Sequence, residues 1–129
     1  MERIVALAAS ALRAPFAFII LTGEDRRCFG AGPDLPDWAT HDAGAFWRSG
    51  IVDLISDGPV EMRDLTRDRP PEQIAAAAEL GIGSLIGVPI VTSAGPVGVF
   101  CAADPQPTQW NDDDAEMLKQ FASTAASDW

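Results

Sequence analysis

The sequence predicts an α+β domain, with an antiparallel sheet and helices gathered on its faces. Three observations carry that expectation. The stretch Gly81–Asp104 reads as two apolar strands joined through Ser93-Ala94-Gly95-Pro96, a hairpin pattern. Its strands are apolar in both phases: Ile86, Val88 and Ile90 alternate with Leu85, Gly87 and Val91, and Val97, Val99 and Cys101 with Gly98, Phe100 and Ala102. Such a pair belongs in the middle of a sheet covered on both sides. Finally, the order along the chain is helix, two strands, helix, strand, helix, hairpin, helix, with no internal repeat or interdomain linker.

Each element has its own local reason. Met1–Ala14 puts Ile4, Leu7, Ala11 and Leu12 on one helical stripe, and Pro15 ends it. Pro15–Thr22 is a short continuous apolar run, suited to a central strand; Gly23-Glu24-Asp25 turns the chain, and Arg26–Ala31 returns as an edge strand. Gly32–His41, punctuated by Pro33 and Pro36, is a loop carrying Trp38. From about Asp42 a helix places Trp47, Ile51, Leu54 and Ile55 on one face, with its stop at Asp57-Gly58-Pro59. Val60–Arg63 alternates as a short strand, followed by the polar loop TRDRP. Pro71, Glu72 and the run IAAAAEL, closed by Gly81, make a compact helix. After the hairpin, Asn111-Asp112-Asp113-Asp114 sets carboxylates at the positive end of a last helix, whose stripe is Leu118, Phe121, Ala122, Ala125 and Trp129.

Composition narrows the function classes. The 129 residues suit a single domain, 1–129, and 47% hydrophobic with 22% charged residues is an ordinary globular balance. A formal net charge of −10 repels phosphate backbones and anionic lipid heads, so neither nucleic acid nor membrane is an expected partner. Two cysteines and one histidine supply no zinc cluster and no disulfide scaffold. The apolar IVALAASAL after Arg3 is too short for a secretory leader and is interrupted at Arg13, which leaves the cytoplasm as the expected compartment.

With these elements in place, the stretch from Trp47 to Trp129 resembles a GAF domain. The resemblance rests on the strand GPVEMRDL, the helix ending AAELGI, the hairpin pieces GVPI and GPVGVF, the CAAD-x-x-P stretch and the close WNDDDAEML. It implies a GAF-like (PAS/profilin-like) antiparallel sheet of five to six strands, with the N- and C-terminal helices on one face and helices closing a small-molecule pocket on the other. It further implies a sensory or regulatory domain of a signal-transduction protein, not an enzyme. Such a domain binds a small-molecule effector, forms a homodimer through its terminal helices, or both, and modulates a kinase, phosphatase, cyclase or transcription regulator. The rival reading is a dimerisation module without ligand.

Several departures from the family bear on the ligand, and no cofactor is named by the residues. The Asn-Lys-Phe-Asp-Glu element of cyclic-nucleotide members is absent, and Cys101 is followed by Ala102 rather than the histidine common after a bilin-bearing cysteine. Gly50 stands where many members place the cysteine of a Ser-x-Cys element, and the cysteines are too few for the methionine sulfoxide reductases of the family.

Among individual residues, Cys101 reads as a packing residue in an apolar strand. In the family's strand order Cys28 and Cys101 flank the Pro15–Thr22 strand roughly 10 Å apart, which predicts two unbridged thiols. His41 has no nucleophile motif beside it. Asp112–Asp114 reads as helix capping rather than a cation loop, and Gly81, Gly87, Gly95 and Gly98 as turn and close-packing residues rather than a phosphate loop. From the periodicity and the family geometry together, the pocket is expected at Phe46, Trp47, Ile51, Ile74, Ala78, Ile86, Val88 and Phe100, with Asp64 as the one polar contact. Arg48, Arg63, Arg67 and Arg69 form a basic rim.

Overall fold

The structure, a computed structural model, describes residues 2–21, 28–36, 51–67 and 69–127. In chain order these form α1 (Glu2–Ala11), β1 (Phe16–Leu21), β2 (Cys28–Ala31), α2 (Ile51–Ser56), β3 (Val60–Met62), α3 (Pro71–Leu80), β4 (Ser84–Thr92), β5 (Gly95–Asp104) and α4 (Asp112–Ser127). Expectations placed on Gly23-Glu24-Asp25, Arg26, Trp38, His41, Phe46, Trp47, Arg48, Gly50 and Trp129 lie outside the described residues.

The sheet runs β2-β1-β5-β4-β3, and its strand pairs are antiparallel. β4 and β5 form the expected hairpin at the interior, and β1, apolar throughout, lies beside β5 with Phe16 opposite Ala103 and Leu21 opposite Gly98. Burial on both sides explains why neither phase of these strands carries charge. A register shift at Ile90/Val91 puts an extra residue into β5 near the hairpin turn, where Thr92 Oγ1 donates to the Gly95 carbonyl and accepts from the Ala94 amide.

Two cores flank the sheet. On one side α1 and α4 touch each other and cover Ala17, Ile19, Leu21, Ile86, Val88, Ile90, Phe100 and Ala102. On the other, α2 and α3 cover Phe16, Phe18, Ile20, Met62, Leu85, Val99, Cys101 and Ala103. This is the α+β arrangement expected, with five strands among the described residues.

Two helical stripes differ from expectation. α1 buries Val5, Ala8 and Ala9, with Leu12 buried just past its end, and leaves Leu7 55% exposed, because the alanine ridge lets the helix approach the strands closely. It also stops at Ala11, with Arg13 in the left-handed region at φ 55° and the Ala14 amide reaching back to the Ala9 carbonyl. α2 buries Ile51, Val52 and Ile55 and turns Leu54 outward. The other ends match their chemistry. Gly81, at φ 76°, closes α3, and Asn111 and Asp114 cap α4 reciprocally, each side chain accepting the other's amide at 2.9 and 3.0 Å.

Candidate functional site

The sheet face under α2 and α3 is the candidate site; among the described residues, α2 and α3 cover it. Its floor is Phe16, Phe18 and Ile20 from β1, Leu85 and Gly87 from β4, and Val99 and Cys101 from β5. Its cover is Ile51, Val52 and Ile55 from α2, with Leu65, Ala77 and Leu80. Gly87 seats α2: a Cβ built there would lie 2.8 Å from Ile55 Cδ1 and 3.2 Å from Cys101 Sγ. The residues named here are apolar and buried, packed against one another.

At the margin, Asp64 makes an Asx turn. Its Oδ1 accepts from both the amide and the hydroxyl of Thr66, and Oδ2 lies 3.1 Å from Arg67 Nε. The Thr66 donors, with Arg67 behind them, hold its carboxyl below the usual carboxylate range. Arg63 leaves this margin altogether: its Nε donates to the Trp110 carbonyl at 2.8 Å, on the approach to α4. Gln73 on α3 has a buried Oε1 with no protein partner, as do Glu61 (Oε1) and Trp110 (Nε1).

The structure brings only part of the expected set together. Ile51 lies on the α2–α3 side, Asp64 at its margin and Ile74 half-buried on α3, whereas Ala78 is on the exposed side of that helix. Ile86, Val88 and Phe100 correct the expectation: they pack against α1 and α4, the opposite face. A strand apolar in both phases does not say which phase meets which cover, and the expectation chose the wrong one. The partners Leu85, Gly87, Val99 and Cys101 hold the place instead. One signal in the sequence bears on this. Glu61 cannot share the dry face of Val60 and Met62, and it pairs with Ile86, so the Ile86 phase lies on Glu61's side.

Cys28 and Cys101 stand on β2 and β5 with β1 between them, and neither is bridged, as expected. Burial pushes Cys28 up to about 12 and, with Cys28 nearby, raises Cys101 well above its ordinary value. Among the described residues no group of three His, Cys, Asp or Glu side chains is placed to hold a metal ion.

Open hollows lie on the α1–α4 side. An open groove of about 300 Å³ runs between β4 and α4 along Pro59, Val88, Pro89, Val91, Lys119, Ala122 and Ser123. It adjoins a hollow of about 460 Å³ at the hairpin turn, sharing Val91 and Ser123, and Val91 is 56% exposed there.

With this geometry described, the model of one family, the GAF domain, matches residues 1–128. The chain belongs to the GAF domain family. No curated protein sequence matches it. Among solved structures, this GAF domain is similar to a domain assigned to a two-component sensor histidine kinase protein from Sinorhizobium meliloti 1021, at 18% identity and TM-score 0.71, covering 98% of this chain and 86% of that one. It is also similar to the blue-light-absorbing PixJ GAF domain of Thermosynechococcus elongatus, at 15% identity and TM-score 0.75 over 98% and 80% of the two chains. A third is the GAF domain of an Acinetobacter phosphoenolpyruvate-protein phosphotransferase, at 18% identity and TM-score 0.71 over 98% and 77%. At these identities the likeness concerns the fold. No helix among the described residues is long and apolar enough to cross a membrane.

Proposed function

We propose that this GAF domain is a cytoplasmic regulatory module of a signalling protein, in which a small apolar effector bound on the α2–α3 side shifts the packing of α1 and α4. One observation supports this above the rest: among the described residues, the sheet has an uncharged floor under α2 and α3 and the touching pair α1 and α4 on its opposite face. Family membership and neighbours named as parts of a sensor histidine kinase protein and a phosphotransferase favour a regulated effector such as a kinase. The high-pKa thiols favour binding over catalysis.

A second reading has its own support. Ile51, Val52 and Ile55 are buried over Gly87 and Cys101, so the described part of the site is filled by the chain itself, as in a pure dimerisation module. In that reading a homodimer forms through the terminal helices, where Leu7 and Met117 are exposed. Native mass spectrometry of the protein as purified, followed by thermal unfolding with a library of uncharged apolar compounds, separates the two. An effector at roughly 100 times its Kd adds about 2.7 kcal/mol, a shift of several degrees. No retained mass and no shift, with a dimer by light scattering, overturns the sensor reading in favour of the dimer module.

A further inference from the structure

We propose that the corner where Arg63 meets Trp110 is a latch that couples the α2–α3 side of the sheet to the N-terminus of α4. The coupling concerns regulation of the site proposed above and rests on that reading for its biological use. Its physical basis is independent of any ligand.

Three chain segments converge at this corner. The Leu65 amide donates to the Gly83 carbonyl at 2.8 Å, and the Gly83 amide to the Asp104 carbonyl at 2.8 Å. Ser84 Oγ donates to the Gln106 carbonyl, and the Thr108 amide returns to the Arg63 carbonyl at 3.0 Å. Arg63 Nε then reaches the Trp110 carbonyl, one residue before the Asn111 cap of α4. Ser84 and Trp110 are buried, and the interior of such a network is stronger than its exposed end.

No slack is left in it. A Cβ on Gly83 would lie 2.3 Å from the Pro105 carbonyl oxygen, so the α3–β4 junction and the segment entering α4 touch backbone to backbone. Arg63 is therefore clasped from both of its own polar ends, carbonyl and side chain, by the segment that enters α4.

In this proposal the element that opens and closes is the Asp64 turn next to it. That turn is exposed and closed by side-chain contacts to Thr66 and Arg67, the kind of structure that opens locally at low cost. Closed, it adds to the restraint on the chain leaving Arg63; open, it leaves Arg63 held only by its bonds to Thr108 and Trp110 and by the Leu65–Gly83 bond, which loosens the approach to α4. Leu65, one residue on, belongs to the α2–α3 core, so events on that side bias the same turn. Arg63 acts as a positioning residue for the α4 cap.

Amide hydrogen exchange on the full chain, without ligand, tests the latch through a double-mutant cycle. Asp64→Ala opens the turn. In the otherwise native protein it is expected to speed exchange about fivefold at Ala115, whose amide donates to the Asn111 carbonyl, and at its first-turn neighbours. In an Arg63→Met background, which keeps the aliphatic stem, the same change is expected to add less than about twofold. Arg63→Lys supplies a milder background if Arg63→Met unfolds, and β1 and β5 amides report global folding. Equal acceleration in both backgrounds, or none in the native one, overturns the proposal; a purely structural Arg63 gives the additive result. A domain that binds no effector still answers this test, so its failure is distinct from failure of the sensor reading.

Discussion

At the scale of single residues, glycines decide how closely the layers approach. Gly87→Ala sets a methyl group against Ile55 Cδ1 and Cys101 Sγ in a fully buried site, and is expected to cost about 1–3 kcal/mol in urea unfolding. Ile55→Val in the same chain should recover part of that loss, because the obstruction is the end of a side chain. Gly98→Ala should cost more and resist such rescue, since its Cβ would lie 2.5 Å from the Ile20 carbonyl oxygen, which is backbone. The cysteines give a pH signature. In the folded state Cys28 keeps its proton from its ordinary 9.0 up to about 12, while the unfolded chain releases it, so stability is intact below pH 9 and falls as pH rises above it. Alkaline melts should show that decline, shallower in Cys28→Ala. The role of Cys101 as packing was readable from its apolar strand; its separation from Cys28 followed only from the resemblance to the family's strand order. The facing of Ile86, Val88 and Phe100 was not, because it depends on which helices arrive on which side, a non-local fact.

Among elements, those whose boundaries carry capping chemistry were the most legible. Pro71 and Gly81 bracket α3, and Asn111 opens α4, where local bonds alone decide the endpoint. Asn111→Ala should therefore cost about 1 kcal/mol and fray the start of α4, read by exchange at Ala115. Gly81→Ala should cost a similar amount purely from its left-handed backbone, since no atom lies within 4 Å of the added carbon. Helix faces were less legible. α1 is Ala-rich enough that two stripes compete, and the winner, Val5–Ala8–Ala9–Leu12, is set by how near the strands of the sheet can come. The same holds for α2, where Val52 rather than Leu54 turns inward.

For the molecule as a whole, charge and topology dominate. With a net charge of −10, self-repulsion opposes compactness, and three described ion pairs at 3.1–3.9 Å do little to offset it. Raising salt from about 0.01 to 0.15 M shortens the screening length from about 30 to 8 Å, and should raise the melting temperature; a fall would contradict this. The strand order has a temporal side as well. β1, six consecutive apolar residues, leaves the ribosome before its central partner β5, with Phe16 waiting for Ala103. Until β5 emerges the nascent chain therefore presents Phe16–Leu21 with that edge unfilled, the kind of apolar segment prone to aggregation. Slower synthesis between β1 and β5 should therefore lower the yield of folded domain, a dependence that expression from synonymous codon variants of that stretch would read.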